Sequence, residues 1–237
     1  MDRRGFLQVG AASLLVAPAL ALAEPTAAEA WPTGCITMLP KAPVRRVAWT
    51  VDDGSSTQAL YRYVDLLNSH PELRMTFFVL SSASGWRKVA PELAPMVKSG
   101  RVQIGNHTAR HPNLQQLTNS QIQRELLDCH HFIQDHFGID EKPIFRPPYG
   151  DIDSRVIKAA ADVGFTAPIL WWGTFASGAG VASGTVAGNA KQWLLNGRIV
   201  IDHANSMSTP RAFPYVMSLL KQRGLSTVTI KDAFGHL

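Results

Sequence analysis

Two adjacent carboxylates, Asp52 and Asp53, stand at the end of an apolar run and directly before Gly54. Further along the chain come His107 and His111, then Arg146-Pro147-Pro148-Tyr149-Gly150, then Ile201-Asp202-His203. One carboxylate and two imidazoles are enough to hold a divalent cation and leave coordination positions open. A second carboxylate and a further histidine could supply a base and an acid. Taken together, these residue types point to metal-assisted hydrolysis.

Each piece is weak alone. Two histidines four apart occur on many helix surfaces, an Asp-Gly pair is an ordinary turn, and Arg-Pro-Pro is an ordinary strand exit. The flanks sharpen the reading. Gly105 and Asn106 precede the histidines and Pro112 follows them, so they belong to a strand end running into a loop.

The elements that must position these groups are visible as a pattern. Short β-branched or apolar runs occur at 44–51, 74–80, 102–106, 143–146, 167–172, 198–202 and 225–230. Segments with helical periodicity lie between them, at 57–69, 84–98, 119–137, 153–163, 185–196 and 209–223. Strands alternating with helices predict an α/β domain with a parallel sheet. The third helix has the clearest bounds: Thr118 stands three residues before Gln121 as a capping box, and Gly138 follows Phe137 as a stop. His130, His131 and His136 fall mostly off its apolar stripe and are expected on the solvated face. All the candidate residues follow strand ends, and in a parallel barrel those ends share one face.

The chain has 237 residues, of which 46% are hydrophobic and 17% charged, enough for one sizeable core. Its net charge of +5 is scattered, without the basic cluster that nucleic acid would require. Residues 1–23 read as an export signal: Arg3-Arg4-Gly5-Phe6-Leu7 is similar to a twin-arginine motif, and an apolar stretch follows, ending in Ala21-Leu22-Ala23. That stretch is short of the roughly 20 residues a membrane span needs. A short membrane anchor is the competing reading; no membrane span is expected once the signal is removed. Residues 24–43 read as a linker or N-terminal arm, and 44–237 as the catalytic domain. Export permits a disulfide between Cys35 and Cys129, but Cys129 lies on the apolar stripe Ile122, Leu126, Ile133, Phe137, which favours a buried free thiol.

Thr50-Val51-Asp52-Asp53-Gly54, His107-Thr108-Ala109-Arg110-His111, Arg146-Pro147-Pro148-Tyr149-Gly150 and Ile201-Asp202-His203 together resemble the ordered motifs of the polysaccharide deacetylases, the NodB-homology group or carbohydrate esterase family 4. The likeness runs from about Val44 to the C-terminus. It implies a single-domain distorted (β/α)7-type barrel. It also implies that Asp53, His107 and His111 bind a divalent metal, with Zn²⁺ first and Co²⁺ or Ni²⁺ as alternatives. On the same resemblance Asp52 is the catalytic base, Arg146 its ionic partner, the Tyr149 backbone N–H an oxyanion donor, and His203 the general acid. The implied partner is an acetylated glycan outside the cytoplasm, periplasmic or secreted, with peptidoglycan or a chitin-like polymer as the substrate class.

Two departures matter. Val51 stands where the family usually has Phe, which is a packing change. The family usually places an Asp after the fifth strand to tune the acid histidine, whereas this chain reads Leu170-Trp171-Trp172-Gly173-Thr174-Phe175, with no carboxylate between Asp162 and Asp202. Strand alternation turns Asp202 itself away from His203. Weak acid catalysis would suit an O-acetyl esterase on xylan-type polymers, or a glycan-binding protein with a weakened site. Trp171 and Trp172 read equally as a sugar-stacking face or as core. The small-residue stretch 176–190 reads as a mobile loop beside the site.

Overall fold

The computed structural model describes residues 34–234; the export segment and residues 24–33 of the arm lie outside that range. Among the described residues eight strands run β1 (Arg46–Asp53), β2 (Met75–Val79), β3 (Val102–Asn106), β4 (Ile144–Phe145), β5 (Ala167–Pro168), β6 (Gly173–Thr174), β7 (Ile199–His203) and β8 (Ser226–Thr227). The α-helices of these residues are α1 (Thr57–Ser69), α2 (Gly85–Lys98), α3 (Asn119–Phe137), α4 (Ser154–Ala161), α5 (Ser183–Trp193), α6 (Ser208–Arg223) and α7 (Ile230–Phe234). The strands pair in the order β5-β4-β3-β2-β1-β7-β6, with β8 on the lower half of β1, and every pairing is parallel. This is the distorted (β/α)7-type barrel in a single domain.

The helix boundaries have local causes. Ser56 accepts a hydrogen bond from the Ala59 N–H and starts α1. Thr118 and Gln121 form the reciprocal capping box of α3, and Gly138 ends that helix at a φ of 66°. Asp153 caps α4 by accepting from the Val156 N–H.

Alternation along β1 divides the core. Val47, Trp49 and Val51 face the helices, within a cluster that includes Tyr63, Phe77, Phe213 and Val216. Ala48 faces the barrel interior with Phe78, Ile144, Ile169 and Ile199. Thr50 and Asp52 share that inner face, so the period of two carries Asp52 inward.

Three expectations need correction. Of the run 167–172 only Ala167 and Pro168 are strand; the chain then leaves the sheet, and β6 begins beyond the run, at Gly173. The run 225–230 pairs only at Ser226 and Thr227 before α7 begins. The stretch 176–190 is in part helix, since α5 begins at Ser183. The arm also joins the barrel. Ile36 bridges Ile169, Met38 bridges Arg198, and Ile36 and Leu39 are buried, so residues 36–39 fill the space between β5 and β7. Among the described residues no helix is long and apolar enough to cross a membrane.

Candidate active site

Strand register brings the candidate residues together. Asp52 pairs with His203 across β1 and β7, Asp53 with Val79, Val79 with Asn106, and Asn106 with Phe145. His107 and Arg146 are therefore the first residues beyond neighbouring strand ends. The His107 N–H donates to the Val79 carbonyl at 3.0 Å, and the Arg146 N–H donates to the Asn106 carbonyl at 2.8 Å. Asp52, Asp53, His107, His111 and His203, with Tyr149, Trp171, Thr174, Ser177 and Asn205, line a cleft of about 450 Å³.

Adjacent strand residues ordinarily point to opposite faces. Here alternation breaks at Asp53 itself, which has a φ of 68°, followed by Gly54 at 90°. That kink lets both carboxylates face the cleft. Gly54 is required twice over: its φ is left-handed, and a Cβ there would lie 2.5 Å from Trp86 Nε1. The Trp86 indole donates to the Asp53 carbonyl at 2.6 Å and braces the turn. Besides Asp53, the non-glycine residues with positive φ among the described residues are Thr108, His111, Tyr149 and Ala176, all in the loops around the cleft. Such strain persists only where surrounding structure over-determines it.

Asp53 Oδ1 lies 3.3 Å from His107 Nε2 and 3.5 Å from His111 Nε2. A tetrahedral zinc with bonds near 2.0–2.1 Å separates its ligand atoms by about 3.3–3.4 Å, so the three donors already stand at ligand spacing. Asp53 Oδ1 is buried and accepts no hydrogen bond. The His107 ring donates Nδ1–H to the Arg146 carbonyl at 2.7 Å, which leaves the Nε2 lone pair facing Asp53. The donor set fits a divalent cation.

The two carboxylates make the cluster favour positive charge. Burial opposes ionisation of Asp53, yet His107 and the Asn205 amide hold its carboxyl well below the usual carboxylate range. Burial works against a charged His107, but Asp52 and Asp53 outweigh it and raise its pKa. At His111, burial and then the neighbouring His107 lower the pKa and favour the neutral ring.

Arg146 is fully buried inside the barrel. Its Nη1 donates to Asp52 Oδ1 at 2.6 Å and to Thr50 Oγ1 at 2.8 Å, and its Nε donates to the Ile169 carbonyl at 2.9 Å. The guanidinium lies 4.1 Å over the Phe78 ring and 5.7 Å from that of Trp171. Asp52 Oδ2 stays on the cleft side, 3.6 Å from His107 Nε2.

His203 lines the cleft, and its Nδ1 is buried without a hydrogen-bond partner. The carboxylate missing from the sequence is not replaced by another. Asp202 points to the helix side, where it accepts from Trp49 Nε1 at 3.0 Å, Thr209 Oγ1 at 2.7 Å, Tyr63 Oη and Ser177 Oγ. It reaches His203 only through the backbone N–H, at 2.8 Å. Trp171 lines the cleft and packs on Gly150, whereas Trp172 is half exposed under the Arg198 guanidinium and away from the cleft. Tyr149 is 64% exposed at the rim, its ring edge-on to His111 at 4.7 Å.

Several supporting residues carried no sequence motif. Glu125 of α3 accepts from the Ala109 and Arg110 N–H groups and from the Arg110 side chain, bracing the loop between the histidines. His130, expected in solvent, is buried: its Nδ1 lies 2.8 Å from Glu141 Oε2, and Glu141 Oε1 accepts from Asn106. Burying the ring is tolerable because Glu141 pairs with it. His130, Asp140 and Glu141 also bring ligand-type atoms together. Their polar groups already pair, and Asp140 Oδ1 accepts from the Lys142 N–H. Asn205 donates to Asp53 Oδ2 at 2.6 Å.

The polysaccharide deacetylase family model matches residues 40–168, and the chain belongs to that family. It is 28% identical over 204 residues to the peptidoglycan-N-acetylglucosamine deacetylase PgdA of Listeria monocytogenes, covering 84% of this chain and 41% of the relative. It is 40% identical over 122 residues to chitin deacetylase 1 of Cryptococcus neoformans, covering 51% of this chain and 24% of the relative. The chain thus spans about two fifths or less of the length of these curated relatives. Among solved structures, BA3943 of Bacillus anthracis, described as a family pseudoenzyme, superposes with a TM-score of 0.73 at 22% identity, covering 86% of this chain and 70% of its own. At that identity the likeness speaks for the fold alone, and activity has to be argued from the site.

Proposed function

We propose that this chain is a metal-dependent hydrolase that removes acetyl groups from N-acetylated amino sugars of an extracytoplasmic polysaccharide, peptidoglycan or a chitin-like polymer. The observation that carries the reading is the pairing of an orphaned, buried Asp53 oxygen at ligand spacing from two imidazoles with a second carboxylate, Asp52, held by Arg146. Asp53, His107 and His111 would hold the cation, Zn²⁺ or else Co²⁺ or Ni²⁺. When bound, it would lower the pKa of the attacking water and polarise the acetamide carbonyl.

The chain's own groups do the rest. Arg146 occupies one oxygen of Asp52 and fixes the carboxylate's orientation, so the other oxygen can accept the proton of the attacking water. The Tyr149 N–H, carried on a backbone with a φ of 64°, would donate to the oxygen on which negative charge develops. His203 delivers a proton to the departing nitrogen as the C–N bond breaks, releasing acetate and the free amine. Trp171 and Tyr149 offer aromatic surface beside the cleft to a sugar ring. Export by the twin-arginine route would place the folded protein where such polymers lie.

One observation favours a second reading, an O-acetyl esterase on xylan-type polymers. Nδ1 of His203 has no hydrogen-bond partner to orient the ring as an acid, and an alkoxide leaves with less acid assistance than an amine. Acetate release from N-acetylglucosamine oligomers and from acetylated xylan, each with and without chelator, separates the two. Chelator-sensitive release from the amino-sugar oligomers is expected. Sugar binding without release from either polymer, with cation supplied, would overturn both readings.

A further inference from the structure

Asp53 is fixed from two directions. One carboxylate oxygen, Oδ1, faces the two imidazoles and accepts no hydrogen bond. The other, Oδ2, accepts from Asn205 Nδ2 at 2.6 Å. Asn205 Oδ1 in turn accepts from the Ser55 N–H at 3.2 Å and from Ser55 Oγ at 2.6 Å.

This network permits only one orientation of the amide. The Ser55 backbone N–H can only donate, so the end of Asn205 facing it must be the oxygen. The NH₂ end then faces Asp53, which as an ionised carboxylate can only accept. A flipped amide would set N–H against N–H at one end and oxygen against oxygen at the other.

Asn205 and Ser55 sit at the ends of neighbouring strands, β7 and β1. Two backbone hydrogen bonds tie those ends together: Ala204 N–H to the Asp52 carbonyl at 3.1 Å, and Ser56 N–H to the Ala204 carbonyl at 3.0 Å. The amide is thus held between two tied strand ends, against the side chain of a residue with a left-handed φ.

We propose that Asn205 is a positioning residue that sets the cation affinity of the Asp53-His107-His111 cluster. By occupying Oδ2 it makes Asp53 a ligand through one oxygen only, and it fixes the direction in which that oxygen points. Loss of a hydrogen-bonding partner behind a ligating residue typically weakens metal affinity 10- to 100-fold. The inference rests on the metal-binding part of the proposed function and does not depend on which bond is hydrolysed.

The test is Zn²⁺ and Co²⁺ affinity, measured by competition against a chelating dye on purified, metal-stripped protein. Asn205→Ala is expected to bind about 10- to 100-fold more weakly than wild type. Ser55→Ala removes one of two donors to the amide oxygen, at an exposed position, and is expected to weaken binding about two- to tenfold. Unfolding midpoints of the stripped proteins report whether each variant folds. If Asn205→Ala does not fold, Ser55→Ala alone decides. Wild type that binds the cation together with folded variants that bind it equally well would overturn the role of Asn205 and leave the metal site standing. Wild type that binds no cation would overturn the metal site, and this inference with it.

Discussion

The Arg146 guanidinium reaches the Asp52 carboxylate at 2.6 Å, and both side chains are buried. Each charge is tolerable there because of the other, and Thr50 and the Ile169 and Leu170 carbonyls take further guanidinium donors. Arg146→Met would leave Asp52 buried without a counter-charge, at a cost of about 3–5 kcal/mol in urea unfolding. Adding Asp52→Asn to that variant should recover part of the loss. Strict additivity of the two substitutions would show that the ion pair contributes nothing. Asp52→Asn alone preserves the shape of the cleft, and on the proposed role it lowers kcat by about 10²–10⁴.

The Tyr149 side chain is exposed, whereas its backbone carries the strain. Tyr149→Ala keeps the N–H and removes the ring. The expectation is a raised KM for glycan oligomers with kcat unchanged to within about threefold. A collapse of kcat at unchanged KM would assign the chemistry to the phenol instead.

Cys129 is buried in the stripe of α3, donates its thiol to the Val79 carbonyl, and has its pKa pushed far up by burial. Cys35 is exposed, and both thiols are free. A thiol reagent should therefore label one cysteine in the native protein and two after denaturation. No labelling of Cys35 before reduction would point to a disulfide.

Arg74 grips Asp232 of α7 through Nε at 2.5 Å and Nη2 at 2.6 Å. Burial opposes ionisation of Asp232, but Arg74 and Thr229 hold its carboxyl below the usual range. Its contribution to stability is therefore complete above the unfolded value of about 3.9 and is lost as pH falls through the lower folded value. The pair is partly exposed, so the contribution is modest. Asp232→Asn should be less stable than wild type at neutral pH, with the gap closing in acid. A gap constant down to pH 2 would contradict this assignment.

The residues legible in the sequence are those whose neighbours announce them. Asp52 and Asp53 stand between a β-branched run and a glycine, and Thr118 and Gly138 bracket α3 with their own chemistry. The parallel sheet followed from strand and helix periods alternating along the chain, and the barrel from the family resemblance. What stayed hidden depends on distant partners. Asn205 is a lone asparagine after a strand, and only the fold brings Ser55 and Asp53 to it. His130 reads as surface until Glu141, from the loop after α3, turns back to meet it. Residues 36–39 close the barrel through isolated bridges, which leave no periodic trace. β6 is two residues long, too short for alternation to register.

The central claim is that Asp53, His107 and His111 share one cation. Diffraction from zinc-containing crystals, recorded across the zinc absorption edge, tests it directly. The account predicts an anomalous peak bonded to Asp53 Oδ1, His107 Nε2 and His111 Nε2 at about 2.0–2.2 Å, and lost in Asp53→Ala. Zinc bound only elsewhere, for instance among His130, Asp140 and Glu141, or an empty cleft in saturating zinc, would contradict it.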